Sequence, residues 1–352
     1  MSSWNDFLAR RGAIFDRQTV VAFDDSSGEL AAARDAAVIC DLSPIGVLRA
    51  AGADAEEFLQ GQLTNDVQAL EPGWSQYAAW CSPKGRVVAS LLVHRLDAHT
   101  FELLLPAELL EPVRKRLALY VLRSKVVLDN ASEASVRLGV GGPAAATIVA
   151  AALGATPALH RSIRIDGGAL LALPDRRFLL FAEPQRAPAL WGLLAATTRQ
   201  AGYPAWQWLA VRAGVPVITA ATQDQFVPQA MNLDALHGIS FQKGCYTGQE
   251  IVARTQYLGR LKERLVLAHS DGELPQPGAR LYSAHFGDQP CGTVVNAAHS
   301  PDGGADLLAV VQITAAESAE VRLGAADGPT LTLLPLPYAI PSSPPTPRDR
   351  IR

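Results

Sequence analysis

The stretch Phe241-Gln242-Lys243-Gly244-Cys245-Tyr246-Thr247-Gly248-Gln249-Glu250-Ile251-Val252-Ala253-Arg254 constrains this chain most, because charged, thiol, aromatic and glycine residues crowd there without one core periodicity. Such a segment must be held by its surroundings rather than by a single buried face. Thr247 and Glu250 have capping-box spacing, which predicts a helix starting there with Ile251, Thr255 and Leu258 along one face. Cys245 then lies just ahead of a helix N-terminus, where unpaired N–H groups and the Lys243 ammonium favour a thiolate. Gly244 and Gly248 remove bulk on both sides, so the chain can turn and a ligand or partner thiol can approach. A reactive thiol is one reading; a small buried hydrophobe is the other.

The remaining composition narrows the setting. With 352 residues, 49% of them hydrophobic, the chain has core material for two or three domains. A net charge of −3 excludes whole-protein attraction to nucleic acid, and Arg114, Lys115, Arg116, Arg123 and Lys125 read as a solvated helix face. Lys243 to Arg264 differs: five basic residues (Lys243, Arg254, Arg260, Lys262, Arg264) face two acidic ones (Glu250, Glu263), which draws an anionic ligand.

Cys40, Cys81, Cys245 and Cys291 form no Cys-x-x-Cys pair, so neither a stably bound metal nor a disulfide framework is expected. The histidines lack metal-ligand spacing too, His237 being nearest the motif. Met1 to Arg17, capped by Ser3 and Asp6, has no uninterrupted apolar run, so no secretory signal is read there. No later run is long enough to cross a bilayer. These features predict a cytoplasmic protein with no membrane contact.

Taken in order, the chain reads as helices over 29–38 and 54–62, a strand over 47–50, and a hairpin of 75–81 and 86–95 around Ser82-Pro83-Lys84-Gly85. A strand over 100–105, a helix over 106–122 and a strand over 125–128 complete one α+β lobe. A similar order recurs to Gln200, giving a second lobe. Residues 206–212 read as a helix and 219–236 as irregular. From Leu261 onward short β-prone runs (264–268, 280–282, 292–297, 307–313, 331–334) alternate with turns, which predicts a small β barrel. Pro341 to Arg352 reads as a disordered tail.

The string Lys-Gly-Cys-Tyr-Thr-Gly-Gln-Glu, with Phe226-Val227-Pro228-Gln229 and Asn232-Leu233 before it, resembles the signature of YgfZ-type folate-binding proteins, relatives of the glycine cleavage system aminomethyltransferase. Phe58-Leu59-Gln60-Gly61-Gln62, Thr64-Asn65-Asp66, Pro83-Lys84-Gly85 and Leu336-Pro337-Tyr338 extend the similarity from about Val47 to Tyr338. The resemblance implies an α+β, GcvT-like fold: two pseudo-symmetric lobes (1–240) around a pocket for tetrahydrofolate or a derivative, a motif segment (241–258) and a C-terminal β barrel (259–340). It also implies a role in assembly or repair of iron–sulfur clusters, with iron–sulfur enzymes or assembly proteins as partners and tRNA methylthiolation as a consequence. Cys245 would be the functional thiol, acting by redox exchange or transient coordination, with Lys243, Tyr246, Gly248, Gln249, Glu250 and Arg254 its motif neighbours.

Two departures matter. Where the aminomethyltransferases carry a catalytic Asp, this chain reads Ala89-Ser90, which predicts little one-carbon transfer. Where they place a Glu before Ala-Gly, against the pterin, it has Arg212-Ala213-Gly214. Arg212 then grips the glutamate tail or faces solvent, and Glu250 or Asp66 takes the pterin. Tyr77, Trp80 and Trp206 either stack on a pterin or belong to the core. A one-carbon transferase and a non-catalytic interaction scaffold are the alternative functions.

Overall fold

The computed structural model describes residues 3–257, 261–317 and 320–341. Leu258, Arg260 and the tail from 342 lie outside them. The chain opens with α1 (Ser3–Arg10), the hairpin β1 (Ile14–Asp16) and β2 (Thr19–Ala22), α2 (Ser26–Asp35) and β3 (Val38–Asp41).

The first lobe follows as β4 (Ile45–Ala51), α3 (Ala55–Gln60), β5 (Ser75–Cys81), β6 (Val87–Arg95), β7 (Thr100–Pro106), α4 (Ala107–Ala118) and β8 (Val127–Asn130). The second repeats it as β9 (Val136–Gly141), α5 (Ala145–Leu153), β10 (Ser162–Ile165), β11 (Gly168–Leu173), β12 (Arg177–Ala182), α6 (Ala187–Ala195) and β13 (Arg199–Ala201). The sheets match as well: β5-β6-β7-β4-β8 in one, β10-β11-β12-β9-β3-β13 in the other, with β3 inserted between the equivalents of β4 and β8. Pseudo-symmetry is therefore written in the topology.

Both middle strands of the site, β6 and β12, are buried along their whole length. Helices cover one face and the opposite lobe or barrel the other, which is why their sequences are near-continuous apolar runs rather than alternating ones. The lobes are joined edge to edge, Ser75 N donating to His160 O at 2.7 Å and Ser162 N to Gly73 O at 2.7 Å.

Beyond the second lobe, α7 (Tyr203–Arg212) packs between the lobes and the C-terminal sheet. Residues 213–248 contain no helix or strand, and α8 (Gln249–Tyr257) ends the motif. The last unit comprises β14 (Glu263–Ser270), β15 (Arg280–Tyr282), β16 (Gly292–His299), β17 (Ala305–Gln312), α9 (Ile313–Glu317), β18 (Arg322–Leu323) and β19 (Thr332–Leu334). It curls as a six-stranded antiparallel sheet, β18-β15-β16-β17-β14-β19, around Ala268, Leu281, Val294, Leu307 and Leu331.

Several expectations are corrected here. The helix expected over 54–62 is shorter, and Asp54 makes no capping bond; its carboxylate accepts from Lys125 N at 2.7 Å instead. The hairpin of β1 and β2 was not anticipated, nor was the parallel pairing of β13 with β3. Strands of three or four residues leave too little pattern to read.

Candidate functional site

Lys243 is the anchor of the motif. Its ammonium donates to the main-chain carbonyls of Gln60 at 2.6 Å, Leu63 at 2.7 Å and Asn65 at 2.9 Å, so all three protons are spent on one loop of the first lobe. The Tyr246 ring lies beneath it, 5.2 Å from Nζ to centroid. Burial pushes the Lys243 pKa down to about 8, opposed by nearby Asp66.

Thr64 and Asn65 complete the attachment. The Thr64 hydroxyl donates to Gly238 O at 2.7 Å and accepts from Ala79 N at 2.8 Å; the Asn65 amide donates to Tyr77 O at 2.8 Å and His237 O at 2.7 Å. Residues 237–243 are thus stapled to β5. Three distant pieces of sequence, 60–66, 82–85 and 237–251, converge on one surface.

The second attachment is a contact between two glycines. Gly248 has φ +82°, and a Cβ there would meet Ser82 O at 2.4 Å and Gly85 Cα at 2.9 Å. Gly85 has φ +67°, and its Cβ would lie 2.7 Å from Ile251 Cβ. The hairpin turn and the motif therefore pack backbone to backbone, so Gly248 serves this approach rather than a ligand's access to Cys245. At Gly244 a Cβ would meet nothing within 4 Å.

The expected capping box does not form, because the helix begins at Gln249 rather than at Thr247. Gln249 Oε1 instead accepts from Tyr246 N at 3.3 Å. Cys245 lies in the extended lead-in, four residues before the helix, and its thiol is exposed. The other three cysteines are buried, and burial pushes their thiols up. Glu250 and Arg254 project to solvent from α8.

A separate cavity of about 560 Å³ lies between the lobes, α7 and the C-terminal sheet, a volume within the usual range of roughly 300–1,000 Å³ for small-molecule sites. Its walls are mostly apolar, with Leu92, Leu104, Leu179 and Val211 among them, and Tyr77, Trp206 and Arg177 supply rings and charge. Small residues on β9 make the room: a Cβ at Gly139 would lie 2.6 Å from the Trp206 ring, and one at Gly141 3.4 Å from Arg177 Cγ. Ser90 lines the cavity, but its hydroxyl accepts from Ile218 N at 2.9 Å; Ala89 is fully buried beside it. No carboxylate occupies that position.

Of the residues singled out from the sequence as folate contacts, Tyr77 lines this cavity. Tyr246, Gly248, Gln249, Glu250 and Arg254 belong to the motif surface and do not line it. Arg212 is turned toward the C-terminal sheet, with Nη1 3.5 Å from Asp306 Oδ2, so it neither lines the cavity nor replaces a pterin anchor there. Asp306 is buried and also receives Trp208 Nε1 at 2.8 Å and His269 Nδ1 at 2.8 Å, which explains its hold on the guanidinium. Asp66 closes a local turn, accepting from Gln68 N at 3.1 Å and Ala69 N at 3.3 Å, and with His237 borders a shallow second recess. Trp80 is core, edge-on to Tyr120. Arg177 escaped the sequence reading because a charged residue before Phe178-Leu179-Leu180-Phe181 looks like a strand flank. Among the described residues no helix is long and apolar enough to cross a membrane, and no His/Cys/Asp/Glu cluster of three or more is placed to hold a metal.

This arrangement of twin lobes, cavity and curled sheet is the aminomethyltransferase-like fold. Glycine cleavage system aminomethyltransferase T from Bartonella henselae superposes with a TM-score of 0.75 over 96% of this chain and 97% of that one, at 17% identity. Residues 6–163 match the family described as the GCVT N-terminal domain. More narrowly, the chain is 36% identical over 296 residues to tRNA-modifying protein YgfZ of Yersinia pestis, covering 82% of this chain and 88% of that one. The protein of the same name from Shigella boydii is 35% identical over 295 residues, covering 82% and 89%. The chain belongs to the YgfZ family.

Proposed function

We propose that this protein is a folate-binding accessory factor that supports assembly or repair of iron–sulfur clusters in iron–sulfur enzymes, including those that methylthiolate tRNA, through the Cys245 thiol. The observation that carries the reading is the exposed thiol held two residues from a buried lysine clamp. That geometry holds a reactive group at a fixed place on the surface, where a partner protein can reach it. A cluster normally takes four thiolates, so Cys245 serves as one ligand to iron passing between proteins, the others coming from the partner. The name of the curated relatives, tRNA-modifying protein, supports the link to tRNA.

The cavity suits tetrahydrofolate or a derivative. Its volume and apolar walls fit a ring system, and Tyr77, Trp206 and Arg177 are among its lining residues. A bound folate would supply a one-carbon carrier or a stabilising ligand; Tyr77 and Trp206 would flank its ring and the leucine walls would exclude water. One-carbon transfer finds no support at Ala89 and Ser90, which provide no carboxylate to exchange a proton with the folate amine.

Calorimetric titration of the purified chain with 5-formyltetrahydrofolate tests the cavity reading. Micromolar binding, equal in wild type and Cys245→Ser, is expected. Absence of binding by the wild type overturns the folate part.

A further inference from the structure

Leu122 and Leu119 are the most exposed large apolar residues of the described chain, at 87% and 74%, with Tyr120 between them at 37%. They sit at the C-terminal end of α4 on a run of tight turns: Tyr120 N donates to Leu117 O at 2.9 Å, Val121 N to Ala118 O at 3.2 Å and Ser124 N to Val121 O at 2.8 Å. The loop is pinned at its far end, Lys125 N donating to Asp54 Oδ2 at 2.7 Å. Leu122 is held in the left-handed region, φ +47°, where glycine or asparagine would sit with less strain. The fold gains nothing from a strained leucine presented to water on a fixed loop.

Four exposed cations surround this knob. Lys115 lies one helical turn before Leu119, Arg116 one turn before Tyr120, and Arg123 and Lys125 follow Leu122. None of the ion pairs among the described residues includes any of the four. Lys115 and Arg116 suit the negative end of the α4 dipole, and Arg116 also lies over the Trp80 ring, 5.4 Å from the centroid; Arg123 and Lys125 lie beyond the helix and have no such reason. The carboxylates of this corner are committed: Glu111 pairs with Arg114 at 2.9 Å with Lys115 a weaker influence, Asp129 acts on the same guanidinium, and Asp54 holds the loop. An apolar centre within a rim of unpaired positive charge is the anatomy of a protein interface.

We propose that the α4 knob, Leu119 to Leu122 with Lys115, Arg116, Arg123 and Lys125, docks a partner protein that presents an apolar contact flanked by Asp or Glu side chains. Phosphates of a nucleic acid would use the cations and leave the leucines in water. A bilayer asks for more apolar surface, since even a myristoyl chain holds a protein only marginally. A second copy of this chain would bring like charges together across the contact. The knob stands on the lobe that carries the thiol motif: Trp80, beneath Tyr120 and Arg116, bridges Leu63, whose carbonyl accepts from Lys243. The assignment adds a holding surface to the accessory reading and depends on neither Cys245 nor the cavity.

The test places a photocrosslinker in the full chain in living cells, as Leu122→p-benzoylphenylalanine, with Leu193→p-benzoylphenylalanine on the exposed side of α6 as control. Irradiation should give a discrete adduct from position 122 and none from position 193, resistant to nuclease, in which the captured peptide belongs to another protein and carries Asp or Glu. Adding Lys115→Glu and Arg123→Glu, both at exposed positions, should cut the yield about tenfold, and Lys substitutions at the captured carboxylates should restore it. A nuclease-sensitive adduct, an adduct to phospholipid or to a second copy of this chain, or a captured peptide without carboxylates overturns the assignment. So does a yield unmoved by the charge reversals, or no adduct at all. Each of those outcomes leaves the thiol reading, tested by Cys245→Ser, where it stood.

Discussion

Lys243 and Asn65 join the two halves of the site: the lysine ammonium donates to Asn65 O at 2.9 Å, and the Asn65 amide donates to Tyr77 O at 2.8 Å. Tyr77 is a wall of the cavity, so the thiol-bearing motif and the cavity hang from one residue. A change at the clamp is therefore felt on both sides.

Lys243→Met should test that clamp. It strips a proton donor from three carbonyls, so destabilisation of about 2–4 kcal/mol is expected, since orphaned buried polar groups cost about 1–3 kcal/mol each and neighbours relax in part. Chemical denaturation checks it. A wild-type midpoint would show that the three bonds contribute nothing net.

Two glycines four residues apart give opposite predictions. Gly248→Ala should loosen the contact with Ser82 and Gly85 and cost upwards of about 2 kcal/mol, as clash and positive φ combine. Gly244→Ala, with open space at the Cβ, should remain within about 0.5 kcal/mol of wild type. Thermal melts of the two proteins compare them directly; equal losses would place the motif elsewhere.

Thiol chemistry should separate the cysteines. Brief alkylation of the native protein is expected to label Cys245 and spare Cys40, Cys81 and Cys291, whose thiols burial holds protonated; denaturation should expose all four. Peptide mapping by mass spectrometry reads the result. Labelling of Cys81 at the rate of Cys245 would contradict the burial of Cys81.

Acid should weaken the lobe junction. Burial lowers the pKa of both His94 and His160 to about 4, with Arg177 and His237 adding to the shift at His160; His94 Nε2 meets Ser162 Oγ at 2.9 Å and His160 Nδ1 meets Ser75 Oγ at 3.2 Å across the lobes. Both groups are depressed in the fold, so the unfolded chain binds the protons first. Stability should fall as pH drops from about 6.5 to about 4, with a slope approaching two protons, and His94→Gln should remove about one of them. Denaturation midpoints across that window measure the slope; a flat profile would refute the burial of both rings.

Much of this was legible in the sequence. The hairpin around Ser82-Pro83-Lys84-Gly85 and the β-prone runs after Leu261 carry strong local patterns, so strands appear where residues 75–81 and 280–282 indicate. The motif string located Cys245, but its setting was not readable. Lys243 bonds carbonyls some 180 positions earlier, and no local rule joins Thr247 to Glu250 once Gly248 turns the chain against Gly85. Arg212 looked like a substituted folate contact because the sequence cannot reveal Asp306, which captures it from another unit. Arg177 was silent because its place in the cavity wall depends on β12 meeting Trp206 of α7, a contact no local pattern announces.

The most direct test of the central claim is the level of methylthiolated nucleosides in tRNA from cells whose only copy of this protein carries Cys245→Ser, compared with cells carrying Cys291→Ser as a buried-thiol control. The thiol account predicts that methylthiolation collapses in the first strain and stays near wild type in the second, with both proteins present at equal levels. Wild-type methylthiolation in the Cys245→Ser strain would contradict it and leave the protein to act through its cavity or its surface alone.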